Sequence, residues 1–270
     1  MYGRIFPIFI SKKRCQSLVN NKVVFSLVIH DQSSLVEPLI NDLFTLMKDI
    51  SMKVILRVNT HEDISILNRF LSDPRLIVIF NLEQHGYGRN HNLNFDLEKS
   101  DYFVVLNPDI RLICNKIDLL TRHFSSADVG VVAPAVVSSD YSLEDSIRRF
   151  PSVAALIKRY AFKLDVGLER RALLGSKVDW CAGMFMVFSS ESFRLVKGFD
   201  TKYFMYLEDA DICLRLRYKA KRNVVYEPSY VCIHNAQRAS RSISKALFWH
   251  ISSLLKFQMS YICVRYFGNH

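Results

Sequence analysis

The chain has six cysteines but no C-x-x-C pair; Cys15, Cys114, Cys181, Cys213, Cys232 and Cys263 lie far apart. That spacing argues against a zinc centre. Cys114, Cys181, Cys213 and Cys263 have apolar neighbours and read as reduced core thiols, which favours the cytoplasm. The N-terminal stretch MYGRIFPIFISKKRC offers only a short apolar patch and no convincing cleavage site, so residues 1–21 are expected to be an extension rather than a spanning helix or a leader. No internal repeat or low-complexity linker is present. Acidic residues are scarce: 36 Lys and Arg face 26 Asp and Glu, a formal charge of +10. Such an excess fits an anionic partner: nucleic acid, anionic lipid or a phosphorylated ligand; it also fits a merely basic soluble protein. The aromatic residues are not interleaved with Lys and Arg in an RNA-binding pattern, so nucleic acid is set aside.

What is present is apolar and regular. Half of the 270 residues are hydrophobic, enough for a full core. Apolar strand-length runs occur at 23–29, 52–58, 75–80 and 101–107, separated by helical patterns at 33–48, near 62–71 and at 88–99. Strands that are apolar throughout and alternate with amphipathic helices predict an α/β fold with a mostly parallel central sheet covered on both faces. In such sheets ligands bind beyond the carboxyl ends of the strands. Further strands are expected at 129–137, at 178–188 with a bend at Gly183, and at 223–228, stopped by Pro228; residues 240–267 read as a long helix. The spacing suggests a domain over 22–238, with a nucleotide-binding half (22–110) and an acceptor half (111–238), followed by an amphipathic helix over 239–270.

Three segments carry chemistry. GYGRNHN, Gly86–Asn92, joins a strand to a helix; its glycines allow close backbone approach and the helix start offers N–H groups to an anion, or else it is a plain glycine turn. It is not the dinucleotide fingerprint, because His91 stands where the third glycine belongs. VVLNPDI, Val104–Ile110, brings Asn107 and Asp109 to a strand end, where Asp109 is either a turn residue or a ligand for a hard cation. FMYLEDADICLRL, Phe204–Leu216, sets three carboxylates in an apolar run. Asp211 and Arg215 are four apart and can pair along a helix. Glu208 and Asp209 fall in the first turn, as caps or as a general base facing a cleft. His234 follows a further apolar run, as a structural residue or a ligand.

Taken in order, LNPD, DWCAG, GFDTKYFMYLEDADICLRL and the later His resemble glycosyltransferase family 2, the inverting enzymes of the GT-A fold, and within it bacterial O-antigen rhamnosyltransferases. The likeness covers roughly residues 22–255. It implies a nucleotide-sugar held by His30, Asp31, Asn59, Gly86, Gly88, Asn92 and Asn107. Asp109 and His234 would then hold Mg²⁺ or Mn²⁺. Asp209 would be the base, with Glu208, Trp180, Cys181 and Gly183 shaping the sugar and acceptor pocket. Two departures stand out: Val58 occupies the position of the family's base-contacting Asp, and Asn107 replaces an acid of the metal motif. Base recognition then passes to Asp31, and the metal site loses one charge.

The expected reaction is transfer of L-rhamnose from dTDP-L-rhamnose to a polyprenyl-diphosphate-linked saccharide at the inner face of the cytoplasmic membrane. Another hexosyl or galactofuranosyl donor, or a non-catalytic nucleotide-sugar binder, is the alternative. The basic stretch 148–163 and the C-terminal helix fit an anionic membrane surface; packing against the catalytic domain is the competing role for the helix.

Overall fold

The computed structural model describes residues 21–150, 176–235 and 243–267. The expected N-terminal extension and most of the basic stretch 148–163 lie outside them. Four apolar runs pair parallel in the first half of the sheet: β1 (Val23–Ile29), β2 (Met52–Val58), β3 (Leu76–Phe80) and β4 (Tyr102–Leu106), in the order β3-β2-β1-β4. Val23 lies opposite both Met52 and Tyr102, so the strands end level with one another. The second half of the chain extends the same sheet. β10 (Phe185–Ser189) runs antiparallel to β4, and β6 (Val129–Ser138), β11 (Asn223–His234) and β5 (Ile110–Leu112) follow, with β8 (Ser176–Val178) also on β11. A separate ribbon pairs β7 (Ile147–Arg148) with β9 (Trp180–Cys181).

Because the central strands are buried on both faces, alternate residues feed two cores. One face joins Phe25, Leu27, Val54 and Val104 to Val36, Leu39, Ile40 and Leu43 of α1 (Ser33–Leu46). The other joins Val24, Phe103, Val105 and Phe188 to Ile212, Leu214 and Leu216 of α5 (Glu208–Tyr218) and to Phe193 of α4 (Ser190–Leu195), the short helix after β10. α2 (Tyr87–Phe95) differs: its buried face is polar. Arg57, 6% exposed, donates to Asn94 Oδ1 (2.8 Å) and Asn81 Oδ1 (2.9 Å), and forms no ion pair among the described residues. Asn94 donates to Ser26 Oγ, which bonds His91 Nδ1 at 2.7 Å. Burial, with Arg57 beside it, pushes His91 down to about 3, so the ring is neutral.

Several sequence expectations need correction. The run 178–188 is not one bent strand: its first part leaves the sheet to pair with β7, and only 185–189 returns. Pro228 does not end β11, because a register shift between Glu227 and Val231 absorbs it and the strand continues to His234. The helix near 62–71 is a single 3₁₀ segment, Ser65–Phe70. Cys263 is exposed, unlike the buried Cys181 and Cys213.

α6 (Ile243–Ile262) lies against α5 and the turn before it. Ser253 Oγ donates to Met205 O, Ser260 Oγ to Asp211 Oδ1, and Phe257 is fully buried. Leu247, Phe248, Ile251, Leu255, Met259 and Ile262 are each 49–69% exposed. At helical spacing they fall within an arc of about 120°. No helix among the described residues is long and apolar enough to cross a membrane.

Candidate active site

A cavity of about 750 Å³ opens at the carboxyl ends of β1, β2 and β4. His30, Asp31, Asn59, Asn107, Asp109, Gly183, Glu208 and Asp209 all line it, with Tyr87, Arg148 and Trp249. Eight sequence-predicted residues therefore converge from five separate segments.

On one side stands the β1–α1 turn. Asp31 adopts φ 57°, a left-handed conformation, and Glu62 holds it there. Its carboxylate accepts from the backbone N–H groups of Asp31, Gln32 and Ser33 at 2.8–2.9 Å. Asn59 reaches the cavity wall, and its amide is tied to neighbouring protein groups. It donates to His85 O and accepts from His85 N and Asn81 Nδ2. Its direct work is to hold the His85 turn. Val58 is wholly buried, so that strand end presents no acid.

In the centre, pairing of Ile110 with His234 brings Asp109 to the imidazole. Asp109 Oδ2 lies 3.2 Å from His234 Nε2, and Glu144 Oε2 lies 2.8 Å from Nδ1. Burial alone would lower the His234 pKa; the hydrogen bonds and charges of Asp109 and Glu144 outweigh it and raise it. Asp109 Oδ1 is buried without a partner. That orphaned oxygen, and a histidine whose other nitrogen is fixed by a carboxylate, suit a divalent cation. Among the described residues no three His, Cys, Asp or Glu side chains form a complete cage. The remaining ligands would then come from water and phosphate oxygens, as is usual for Mg²⁺.

On the third side α5 begins. Tyr206 and Leu207, at φ 72° and 63°, form a left-handed entry that non-glycine residues rarely adopt. It turns Glu208 and Asp209 inward. Asp209 Oδ2 accepts from Gly183 N–H at 2.9 Å and Oδ1 from Ala210 N–H at 2.8 Å. Burial raises the Asp209 pKa, opposed by those two N–H groups and by Arg148. Glu208 has only its own backbone N–H to oppose the shift. Burial, then the charge of Asp209, pushes it up to about 8, and its Oε2 is a buried atom without a partner. The two N–H groups thus favour the charged form on Asp209, while Glu208 favours its proton. The Tyr87 hydroxyl donates to Gly183 O at 2.6 Å and lies 3.3 Å from Asn107 Oδ1, tying the acceptor-side turn to the strand-end turn.

The other expected residues sit behind the wall. A Cβ on Gly86 would lie 2.6 Å from Phe204 O and one on Gly88 2.6 Å from Phe199 Cβ, so both glycines admit protein rather than ligand. Asn92 points away and clamps both backbone groups of Phe199 at 2.8 Å. Trp180 is 4% exposed and donates to Arg149 O; Cys181 is fully buried. Asp211 pairs with Arg215 at 2.6 Å, as its spacing predicts. Tyr87, Arg148 and Trp249 are pocket residues that sequence reasoning missed. Tyr87 lies inside the quoted glycine segment, and Arg148 and Trp249 lie in stretches read as membrane-facing.

This sheet and this pocket define a glycosyltransferase of the GT-A fold. A mannosyltransferase from Pyrobaculum calidifontis, solved with GDP-mannose and Mn²⁺, matches 82% of the chain at a TM-score of 0.58 and 13% identity, over 58% of its own length. GalNAc-T7, solved with UDP, GalNAc and Mn²⁺, matches 88% of the chain at a TM-score of 0.67 and 10% identity, over 48% of its length. No family model matches. Rhamnosyltransferase WbbL of Escherichia coli K12 is 34% identical over 187 residues, 64% of this chain and 70% of the relative. The N-acetylglucosaminyl-diphospho-decaprenol L-rhamnosyltransferase of Mycobacterium tuberculosis is 30% identical over 145 residues; the chain spans about half of that relative's length, 47%. The chain belongs to this family of rhamnosyltransferases.

Proposed function

We propose that the chain transfers L-rhamnose from dTDP-L-rhamnose to a polyprenyl-diphosphate-linked saccharide, with inversion at the anomeric carbon. The observation that carries this reading is the placement of a buried carboxylate pair, Glu208 and Asp209, in one cavity with Asp109, whose carboxylate meets His234 behind it. The names of both sequence relatives support the sugar, and that of the Mycobacterium tuberculosis relative supports the lipid-diphosphate acceptor. In the reaction the acceptor hydroxyl oxygen attacks the anomeric carbon, the bond to the nucleoside diphosphate breaks, and the diphosphate leaves with the electron pair. Asp209, ionised and oriented by Gly183 and Ala210, takes the hydroxyl proton. Glu208, protonated, can donate from its unpartnered oxygen to the acceptor sugar. Asp109 and His234 would hold Mg²⁺ or Mn²⁺, which when bound offsets charge on the diphosphate. Asp31 faces the nucleobase in place of the acid missing at Val58, and Glu62 holds it in position.

The exposed stripe of α6 lies on a membrane surface and delivers the lipid-linked acceptor; the net positive charge supports an anionic bilayer. The test is transfer from a panel of nucleotide-sugars to synthetic lipid-diphosphate GlcNAc, with Mg²⁺, Mn²⁺ or a chelator. Transfer from dTDP-rhamnose, lost on chelation, is expected. Transfer from a different donor rejects rhamnose, and activity indifferent to the chelator rejects the metal.

A further inference from the structure

Arg148 closes the ribbon of β7 and β9, directly opposite Trp180. Its guanidinium carbon stands 5.1 Å from the centroid of the Trp180 ring. Its Nε is engaged by Asp145, at 2.9 Å from the carboxylate and 3.2 Å from the carbonyl. Ring and carboxylate together fix the arm, while the two Nη groups make no hydrogen bond among the described residues. This fork lines the same cavity as Asp209. The turn after β9 carries Gly183, whose N–H orients Asp209, so Arg148 belongs to the side from which the base works. Another part of the same cavity's wall is apolar and aromatic: Phe204, Met205 and Trp249, with Phe204 and Trp249 ring centroids 5.0 Å apart. Trp249 belongs to α6, so the wall continues into the helix with the exposed apolar stripe.

We propose that Arg148 binds the diphosphate of the lipid-linked acceptor, with the prenyl chain leaving along the Trp249 wall toward α6. The inference rests on the reading that the acceptor is a lipid diphosphate. The donor's diphosphate has its own place at Asp109 and His234, on a different pair of strands. A planar guanidinium already held at Nε presents its remaining N–H groups in the geometry that phosphate oxygens match. Removal of such a charged contact weakens binding by about 10- to 100-fold.

The test compares wild-type, Arg148→Gln and Arg148→Lys chains on two acceptors: GlcNAc-diphosphate-farnesyl and the same sugar on an uncharged alkyl glycoside. Equilibrium binding of the first is also measured with dTDP present, which reads the site without turnover. Expected for Arg148→Gln is a 10-fold or greater rise in KM and Kd for the diphosphate acceptor. Its KM for the donor stays unchanged, and its loss on the alkyl glycoside, where only the support of the Asp209 charge is missing, is smaller than on the diphosphate acceptor, with Arg148→Lys in between. An equal loss on both acceptors would show that Arg148 acts through the base or the fold. A rise in donor KM alone would assign it to the donor diphosphate. Unchanged binding in Arg148→Gln overturns the inference by itself. A wild-type chain that binds no lipid diphosphate overturns the inference together with the reading beneath it.

Discussion

Glu208 is held protonated in the folded chain up to about pH 8, against an ordinary value of 4.5. Between those values the folded state binds a proton that the unfolded chain has released. Stability therefore falls as pH rises through that window and levels off above it. Glu208→Gln keeps the shape of the protonated form and should remove this part of the slope; urea unfolding at pH 5, 6.5 and 8 measures it, and an unaltered slope would mean that Glu208 ionises normally. Arg57 makes a second test. Its replacement by Met leaves the acceptors on Asn81 and Asn94 buried and unpaired, at a cost of about 1–3 kcal/mol each. The carboxylates were legible in the sequence because they interrupt an apolar run where only a cap, a pair or a site would tolerate them. Tyr87 and Arg148 were not, because their roles depend on Gly183 and Trp180, each about thirty residues or more away and brought near only by the sheet. Asn59 was placed correctly on the wall, yet its amide is consumed by His85, a partner no spacing rule could reveal.

At the level of elements, the strands were the readable part, since continuous apolar runs can only be buried on both faces. The helices that serve the site were less so. α2 packs through Asn90, His91 and Asn94, so it lacks the apolar stripe by which buried helix faces are usually found. Its Gly88 leaves room for Phe199. Gly88→Ala should therefore destabilise the fold by about 1–3 kcal/mol through overpacking, read as a lower denaturation midpoint. If that variant were as stable as wild type, the glycine would have another purpose. The chain beyond β9 was misjudged as one strand because Trp180 and Cys181 are as apolar as the strand they precede; only their pairing with β7 diverts them. α6 was seen as amphipathic, but its two sides have different roles: Ser253, Phe257 and Ser260 dock, and the opposite arc faces outward. Leu247, Phe248 and Leu255 replaced together by Ser should abolish sedimentation with anionic vesicles while leaving turnover on a short water-soluble acceptor unchanged. Loss of both would show that the stripe belongs to the fold.

Across the whole molecule, the two halves of the chain share one sheet, joined through the antiparallel strand β10, and the cavity lies at the carboxyl ends of the parallel strands of the first half. This explains why the site gathers residues as distant as His30 and Trp249. The charge of +10 is a property of the same scale. Vesicle binding should weaken as salt rises from about 0.05 to 0.3 M, since the Debye length shortens over that range; salt-independent binding would leave the apolar stripe as its sole cause. The central claim is that Asp209 takes the proton from the acceptor hydroxyl. The most direct measurement is single-turnover transfer from dTDP-rhamnose to lipid-diphosphate GlcNAc by wild-type and Asp209→Asn chains, with donor affinity measured on both. The account predicts donor binding within about twofold and a transfer rate reduced by about 10²–10⁴. Transfer by Asp209→Asn at the wild-type rate would contradict it.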